Sequence, residues 1–526
     1  MNFETLVQTD LRGMVGVSLA AFRPELAICA TIIAVLLGRM ILPRWTSSAF
    51  CLTLVGLVAA IYLAIPWQWL SEPISPPAAI FTGTLVSDSF TVVLRGLLLL
   101  FAVLFTAFTQ IANVSNRDDM TEFYVLMLGA LLGMCLMISA NHILIVLLGV
   151  EMASVPCYVL AGMQRNRPKS SEAALKYAVF GAGTAGVMLY GMSLLVGVLG
   201  SAHLPTMTSQ LAKLMENGPA ADQATVLALG GLMLMVGVAF KLSAVPFHFW
   251  APDVFEGATA EVAAFLSIAS KAAALGLLVR LASGFSFSTN PDALAALGPV
   301  RNFICNLLSV LAAITCTFGN LAAYGQTNMK RLLAYSTIAH AGYMIMPVAA
   351  AVALAGVNPE IARWAVASLI VYISIYLFMN LAAFAVVAFL RNALHSEEIA
   401  DYAGLVRRSP GLTVCMTIVM FSLVGLPPLA GFAGKWVIFY SLVQANLLPL
   451  LMIGVLNTVL SLFYYLRVVK VMIFSPEPLH RPAPEIPLRS LVGSYCALLT
   501  VPVVAMFFLM DRLLYWANAA ASNLFD

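Results

Sequence analysis

The sequence predicts an all-α protein that crosses a lipid bilayer about fourteen times, and two observations carry this prediction. Hydrophobic residues make up 61% of the 526 residues and charged residues only 10%, whereas about a quarter of a soluble domain is charged. Apolar runs of roughly 20 residues, the length that a helix needs to cross the hydrocarbon core, recur from Leu26 almost to the C-terminus. Because lipid offers the backbone no hydrogen bonds, we expect each run to be a helix.

The runs divide into fourteen predicted spans that form one integral membrane domain, 1–526. The first 22 residues hold three charged side chains and no apolar core of a cleavable signal, so we expect the first span to direct insertion. The longest polar connections, 68–86, 201–223 and 391–410, are loop-sized. The predicted spans are 24–42, 49–67, 87–110, 122–139, 141–163, 171–200, 224–250, 258–281, 300–324, 329–353, 361–390, 411–442, 450–474 and 488–515.

Lysine and arginine residues concentrate in the loops that follow odd-numbered spans. Loops with such an excess face the cytoplasm in polytopic membrane proteins. Both termini are therefore predicted to lie on the non-cytoplasmic side. Loops after even-numbered spans contain little beyond Lys213 and Arg301, while those after odd-numbered spans contain Arg44, Arg117, Arg165, Arg167, Lys169, Lys330, Arg331, Arg391, Arg407, Arg408, Arg481 and Arg489.

Composition and motif content argue against several other classes of protein. A net charge of +3 without a basic tail gives no support for nucleic-acid binding. The eight cysteines lie far apart without a C-x-x-C or Cys/His cluster, which argues against iron–sulfur, zinc and disulfide sites. The run Gly181-Ala-Gly183-Thr-Ala-Gly186 matches a dinucleotide fingerprint, but it lies inside an apolar span and follows no strand. We expect these glycines to permit close helix packing instead.

Four charged residues lie inside predicted spans and are the strongest indication of function: Glu151, Lys241, Lys271 and Lys435. A charged side chain at the middle of a bilayer costs about 2.5–3.5 kcal/mol on insertion scales, so such residues usually face a polar interior and mark a transport pathway. The sequence therefore predicts an ion or proton path.

Two spans contain proline inside an otherwise helical run. Pro246 in the seventh span and the Pro427–Pro428 pair in the twelfth remove backbone donors, so each helix is expected to break there. Interrupted helices at matching places in two halves of a chain are typical of transporters built from repeats. The spacing of five spans predicts two inverted five-helix repeats, spans 4–8 and 9–13. The predicted parts are an N-terminal three-helix part (1–121), the two repeats (122–281 and 300–474) and a C-terminal helix (488–515).

The buried residue types fit proton transfer. Burial disfavours the charged form of a side chain, so a buried lysine can take up and release a proton near neutral pH. A carboxylate that approaches or withdraws would switch such a lysine between its two states, and Glu151 with Lys241 is the natural pair. Lys271 is the expected acceptor. His248 and His340 are candidate relays, because histidine titrates near neutrality.

Several of these residues, and three other cations in the chain, also have a purely structural interpretation. Glu151 and Lys241 could form an ion pair that only holds two helices together. Lys176 lies six residues inside its span and could extend to the membrane interface. His340 could be a hydrogen-bonded core residue, and the Lys330–Arg331 pair fits an anchor at the cytoplasmic surface.

Three segments resemble the antiporter-like membrane subunits of NADH:quinone oxidoreductase, respiratory complex I. They are KLSAVPFHFWAPDVFEGATAEVAAFLSIASKAAALGLLVR, NMKRLLAYSTIAHAGYMI and LVGLPPLAGFAGKWVIFYSLV. The resemblance covers residues 24–515 and is nearest to the subunit N type, equivalent to chain 2 of the mitochondrial enzyme. It implies fourteen helices, inverted five-helix repeats and one proton channel driven by quinone reduction elsewhere in the complex.

The resemblance also implies roles for particular residues, cofactors and partners. NADH, FMN, iron–sulfur clusters and quinone would be bound by other subunits, leaving no cofactor and no metal in this chain. Its partners would be M-, L- and K-type membrane subunits in the lipid bilayer of a bacterial inner membrane. The positions that match the family's proton-translocating residues, on helices five to twelve, are Glu151, Lys176, Lys241, His248, Lys271, Tyr324 and Lys435.

Two features favour the subunit N type over its siblings, and one segment departs from it. The subunit M type has glutamate at the position of Lys435, and the subunit L type adds a long lateral helix, whereas this chain ends at Asp526. Subunit N sequences often read Ala-Pro-Thr-Pro-Val where this chain has Ala258-Thr259-Ala260-Glu261-Val262. The departure affects the expected shape of the turn into the eighth span.

The predicted function is proton translocation by a non-redox subunit of an NADH:quinone oxidoreductase, which is a translocase. Two other functions fit the same residues. A subunit of a multi-subunit cation/proton antiporter would share the lysines and broken helices but would lack a redox partner. A structural membrane subunit would use the charges only to hold its helices together.

Overall fold

Long apolar helices account for nearly all of the described structure, because a segment surrounded by lipid can satisfy its backbone only as a helix. The computed structural model describes residues 15–41, 47–65, 77–113, 120–164, 167–478 and 485–525. A two-stranded antiparallel hairpin joins β1 (Ala78–Ile80) to β2 (Leu85–Ser87). The helices are α1 Arg23–Ile41, α2 Ser48–Ala64, α3 Ser89–Ala112, α4 Met120–Ser139, α5 Ile143–Ala161, α6 Pro168–Leu199, α7 Leu204–Glu216, α8 Ala221–Leu242, α9 Trp250–Gly257, α10 Ala260–Ser286, α11 Pro291–Ala296, α12 Gly298–Ala323, α13 Met329–Leu354, α14 Pro359–Leu394, α15 Pro410–Val424, α16 Ala430–Gln444, α17 Leu448–Phe474, α18 Leu491–Phe508 and α19 Met510–Ala521.

The predicted spans agree with these helices. Among the described residues, twelve helices are long and apolar enough to cross a membrane, and the shorter apolar helices α2 and α15 occupy two further predicted spans. The prediction of an all-α, multi-pass membrane protein is confirmed. Both predicted breaks are present, between α8 and α9 in the seventh span and between α15 and α16 in the twelfth.

The last predicted span, 488–515, is two helices rather than one. α18 ends at Phe508, and α19 begins at Met510 and runs on to Ala521. The sequence of α19, MDRLLYWANAAA, is amphipathic, and its small buried residues pack against α14 and α3. Asp511 and Arg512 directly follow the junction, and the apolar residues on both sides of this charged pair make the two helices resemble one span in sequence.

One predicted polar connection, 201–223, contains the helix α7. Leu204, Met207 and Leu211 recur at helical spacing on its buried face, which packs against α10. The connection 391–410 contains two short 3-10 turns, Ile399–Tyr402 and Leu405–Arg407. The loops are therefore more ordered than their polar composition indicates.

Three helices form the interior of the bundle. The hydrophobic portion of α10 is completely buried within the protein, and those of α13 and α14 are almost completely buried. Close packing brings α12 against α13, since a Cβ atom at Gly342 would lie 2.5 Å from the backbone nitrogen of Cys316. The charged residues on α10 are thus surrounded by protein rather than by lipid.

One buried ion pair joins the N-terminal helices to this interior, and a second joins two N-terminal helices to each other. Asp88 caps α3 by accepting from the Thr91 backbone N–H at 2.8 Å, and Arg280 of α10 donates to both of its carboxylate oxygens, at 2.6 and 2.5 Å. Arg95 of α3 pairs with Glu25 of α1 at 3.0 Å. Burial alone would raise the pKa of Asp88, but Arg280 reverses the effect and holds it below its ordinary value.

The three glycines of the rejected dinucleotide fingerprint lie within α6 and follow no described strand. A Cβ atom at Gly181 would lie 2.0 Å from the Tyr158 hydroxyl, so close helix packing is confirmed at this position. Gly183 and Gly186 have nothing within 4 Å of their Cβ positions and do not need to be glycine for packing.

Two features of the predicted topology remain predictions. The division into inverted repeats, 122–281 and 300–474, stays a prediction, as does the sidedness of the termini. Four of the loop cations used to predict sidedness lie outside the described residues: Arg44, Arg117, Arg165 and Arg481.

Candidate functional site

The first helix break places polar backbone groups deep in the bundle. α8 ends at Leu242, and Ser243 has a left-handed backbone conformation, with φ of 56°. The backbone N–H of Val245 donates to the Thr315 hydroxyl at 3.0 Å, which satisfies one donor that the break leaves without a helical partner. The side chain of Trp250 donates to the carbonyl of Phe240 at 3.1 Å and closes the break from the other side.

Lys271 reaches this break from α10. Its ammonium donates to the Ser243 hydroxyl at 3.0 Å and lies 5.7 Å from the centre of the Trp250 ring. The residue is 1% exposed. Among the described residues no carboxylate pairs with Lys271. Its ammonium instead contacts a hydroxyl and the face of an aromatic ring.

Glu151 and Lys241, the predicted pair, line one small cavity. The cavity lies between α5, α6 and α8, has a volume of about 10 Å³ and is also lined by Ser154 and Tyr158. That volume is close to the smallest space that holds one water molecule. No ion pair within 4.0 Å joins the two described side chains. The arrangement therefore differs from the tight ion pair that a purely structural role predicts.

The second helix break holds Lys435. α15 ends at Val424, Gly425 follows in a left-handed conformation with φ of 90°, and α16 begins at Ala430. The ammonium of Lys435 donates to the carbonyls of Leu423 and Val424 at 3.0 and 2.9 Å. These are unpaired carbonyls at the negative end of a helix dipole, which is where a cation is most stable.

We expect Gly431→Ala to disturb this second break. A Cβ atom at Gly431 would lie 1.8 Å from the carbonyl oxygen of Ser422, and the Gly431 N–H donates to the Ser422 hydroxyl at 3.0 Å. The backbone would have to move, at a cost of about 1–3 kcal/mol. Thermal unfolding of the purified protein in detergent should show a lower melting temperature. Gly183→Ala, where the added Cβ meets nothing within 4 Å, is the matched control. Equal melting temperatures for Gly431→Ala and wild type would contradict this account.

A row of buried polar side chains extends from Lys271 toward His340. Ser267 lies one turn before Lys271 on α10, and the amide of Asn380 donates to the Ser267 hydroxyl at 2.7 Å. The same amide donates to the Tyr376 hydroxyl at 2.9 Å, and the Tyr376 and His340 rings lie 5.2 Å apart. We call these residues the polar row: Ser267, Asn380, Tyr376 and His340.

His340 ends the polar row between two tyrosine hydroxyls. Its Nδ1 lies 2.8 Å from the Tyr372 hydroxyl and its Nε2 lies 3.3 Å from the Tyr465 hydroxyl. The next turn of α13 carries Tyr343, whose ring centre lies 4.5 Å from the ammonium of Lys435. His340 is therefore a hydrogen-bonded core residue that also lies on the way to Lys435.

His248 lies in the first break but outside the polar row. Its ring packs against Phe318 at 4.4 Å and Phe249 at 4.3 Å between ring centres. Its Nδ1 is buried and has no hydrogen-bond partner among the described residues. The structure thus brings His248 to the break without connecting it to Lys271.

Lys176 belongs to an ionic cluster at one end of the bundle. It pairs with Asp253 of α9 at 2.7 Å and with Glu172 at 2.7 Å. Arg331 also pairs with Asp253 at 2.8 Å, and with Glu256 at 2.7 Å. We call these residues, with Lys169, the outer ionic cluster. Lys176 neither extends alone to the interface nor contacts the polar row.

Lys330 is not the surface anchor that its position at the start of a span indicates. It is 1% exposed and donates to the carbonyls of Glu256 and Ala258 at 2.8 and 2.7 Å. Its ammonium also lies 3.0 Å from the carboxylate of Glu397. The end of α9, the turn before α10 and the loop after α14 therefore meet at this buried cation of α13.

Tyr324 lies away from the polar row, at the end of α12. Its hydroxyl donates to the carbonyl of Leu460 on α17 at 2.7 Å, and its own carbonyl accepts from Arg467 at 2.7 Å. The side chain connects two helices at a partly exposed surface. Its relay role remains a prediction of the resemblance, and its contacts are those of a structural residue.

This chain is similar in sequence to proteins of a known family. A model of the family described as NADH:quinone oxidoreductase/Mrp antiporter, TM, matches residues 140–461, which contain both helix breaks. NADH-quinone oxidoreductase subunit N from an Anaeromyxobacter species is 36% identical, over 93% of this chain and 92% of the relative. The chain belongs to this family.

Subunit N of a second bacterium and chains of two solved structures are also similar to this chain. Subunit N from Rhodospirillum rubrum is 38% identical over 90% of this chain and 91% of its own. A chain of respiratory complex I from Thermus thermophilus superimposes with a TM-score of 0.73 at 30% identity, covering 94% of this chain and 98% of that one. A chain of the Mrp complex from a Dietzia species, with a TM-score of 0.78 at 18% identity over 97% and 98%, shares the fold.

Sequence reasoning missed most of the polar row. Tyr372, Tyr376 and Asn380 follow one another at intervals of four residues, which places them on one face of α14. This spacing was the available signal. Uncharged polar residues in an apolar run attract less attention than lysines, although here they lie between Lys271 and Lys435.

Proposed function

We propose that the chain is a proton-translocating membrane subunit of an NADH:quinone oxidoreductase. One observation carries the proposal: buried lysines occupy both helix breaks, and a row of buried polar side chains lies between them. Charged groups in such positions are expensive for a membrane protein and are retained for transport. The relatives named as subunits of this enzyme support the same function.

The first half of the proposed path leads to Lys271. A proton enters from the side that the loop charges predict to be cytoplasmic. It reaches Lys241 through the cavity that Lys241 and Glu151 both line. Lys241 lies two residues before Ser243, the hydroxyl that Lys271 binds. Since two ammonium groups at one break disfavour each other, charging of Lys241 favours release of the proton held by Lys271.

The second half follows the polar row to Lys435. Hydroxyl and imidazole groups both accept and donate hydrogen bonds, so they can pass a proton along a chain of contacts. Tyr376 and His340 are such groups, and Asn380 anchors the row to α10. The carbonyls at the end of α15 hold Lys435 while it is charged, and its proton leaves toward the opposite side.

The proposal includes the surroundings of the chain. NADH, FMN, iron–sulfur clusters and quinone would be bound by other subunits of the enzyme. Among the described residues, no group of three or more His, Cys, Asp or Glu side chains could hold a metal ion. M-, L- and K-type subunits would be the membrane neighbours, in a bacterial inner membrane with both termini on the non-cytoplasmic side. Residues 122–281 and 300–474 would form the inverted repeats.

A cation/proton antiporter is the second candidate, because the matching family description includes Mrp antiporters. Purification through a tag on this chain distinguishes the two. We expect NADH-oxidising subunits to co-purify, and the reconstituted complex to acidify vesicles on addition of NADH, equally with or without sodium ions. Sodium-dependent proton exchange by a complex that does not oxidise NADH would instead establish the antiporter.

Tyr324→Phe is expected to leave proton translocation unchanged. The hydroxyl donates to a backbone carbonyl at the protein surface and has no contact with the polar row, so its loss should cost only about 0.5–1.5 kcal/mol of stability. The initial rate of NADH-driven proton uptake in reconstituted vesicles is the measurement. Tyr376→Phe is the matched variant within the row and should lower that rate. A strong loss in Tyr324→Phe would support the relay role that the resemblance implies.

A further inference from the structure

Glu261 is a buried carboxyl group that the path described above does not use. It lies in the first turn of α10 and is 0% exposed. Neither of its carboxylate oxygens has a hydrogen-bond partner among the described residues. The cap of α10 is made by Thr259 instead, whose hydroxyl accepts from the Val262 N–H at 3.3 Å. A carboxylate kept from water without hydrogen bonds is costly to a folded protein.

Charged groups from other elements surround Glu261. The nearest cation is Arg391 at the end of α14, whose Nη2 lies 3.6 Å from one carboxylate oxygen. The other terminal nitrogen of Arg391 is buried without a partner. Lys330 interacts with both Glu261 and Glu397. We call these four residues the inner ionic cluster. It contains two cations and two carboxyl groups.

The same two helices carry both Glu261 and the polar row. α10 and α14 are joined by the bond between Ser267 and Asn380, at 2.7 Å, and nearer the start of α10 by the contact between Glu261 and Arg391. Lys271 follows Glu261 by ten residues on α10, about 15 Å along the helix. The outer ionic cluster adjoins the inner ionic cluster, since Lys330 of the inner cluster donates to the backbone carbonyl of Glu256 in the outer cluster.

We propose that Glu261 is an additional proton-accepting site of this subunit, placed between the outer ionic cluster and the polar row. A carboxylate oxygen forms an O–H bond with a proton delivered by water at the cluster end of the bundle. That bond breaks when the proton passes toward Ser267 and Lys271, and no electrons are transferred. The inference rests on the proposed function, and it adds a second proton acceptor on the way to Lys271 while the path through Lys241 stays necessary for translocation.

Glu261→Gln in the complete enzyme tests the proposal, because glutamine keeps the shape and cannot ionise. We expect the initial rate of NADH-driven proton uptake in reconstituted vesicles to fall at least threefold. The carbonyl stretch of a protonated carboxyl group should also disappear from the infrared difference spectrum between the resting and the NADH-reduced enzyme. Glu261→Asp should retain both signals in part. Glu360→Gln, an exposed carboxyl in the first turn of α14, is the control and should change neither.

The possible outcomes separate this inference from the proposed function. Wild-type proton uptake and an unchanged spectrum in Glu261→Gln, while Lys241→Ala and Lys271→Met do not pump, would overturn the inference alone. Normal pumping in all three variants would overturn the proposed function. Should Glu261→Gln fail to assemble, the pair Glu261→Gln with Arg391→Gln removes both charges together. Reduced uptake in that variant supports the site, and normal uptake overturns it.

Discussion

Replacing Lys241 by alanine is expected to abolish NADH-driven proton translocation in a complex that still assembles. The ammonium is almost completely buried beside the cavity that it shares with Glu151 and lies two residues before the first helix break. Alanine removes the group that takes up the proton while the helix is preserved. A side chain that handles a proton in transfer contributes about 100-fold or more to the rate. Proton uptake per NADH oxidised, measured in reconstituted vesicles, is the appropriate readout.

Two comparisons give the Lys241→Ala result its meaning. Lys213→Ala removes an exposed lysine on α7 and should leave pumping unchanged. Replacing Glu151 and Lys241 together by apolar residues tests the structural alternative, in which the charges only hold helices together. Pumping that survives the double replacement would favour that alternative, and normal pumping in Lys241→Ala alone would refute the proposed mechanism.

Lys271→Met should have an effect of the same size for a different reason. Methionine fills a similar volume without an ammonium, so the contact with Ser243 is lost and nothing connects the first break to the polar row. Proton uptake should fall by about 100-fold. Rates of NADH oxidation and of proton uptake should be recorded in the same vesicles, to separate a block in translocation from a loss of the enzyme.

Ser243→Ala is the graded control for Lys271→Met. It removes the partner of the ammonium but keeps the ammonium itself, so we expect an intermediate rate. Wild-type proton uptake in Lys271→Met would show that protons reach the second break without this lysine. In that case the polar row would not be the connection between the two halves.

The sequence predicts the membrane spans and the charged residues well, for the same physical reason. Long apolar runs and isolated charges inside them are both extreme in composition, so they can be recognised without knowledge of the fold. The junction at Leu509 is less distinct, because the two charged residues that follow it, Asp511 and Arg512, resemble the polar end of a single span. Prolines identify the breaks at Pro246 and Pro427–Pro428, since their effect on a helix is local.

Residues whose role depends on distant partners could not be predicted in the same way. In sequence Glu261 is only a departure in the turn before the eighth span, and its burial depends on α14, which carries Arg391 some 130 positions later. Lys330 resembles a surface anchor in sequence and becomes a core residue because the loop after α14 covers it. These placements require the tertiary arrangement.

The complete enclosure of α10 sets an order for biogenesis. Its walls include α13 and α14, which leave the ribosome after it does. Until those later segments have been inserted, Lys271 and Glu261 are on a helix that still borders acyl chains, where an ionised group is poorly tolerated. A chain interrupted before Leu394 would present these groups to lipid. The residues proposed to move protons in the finished protein are therefore also those that are most costly to expose in its unfinished forms.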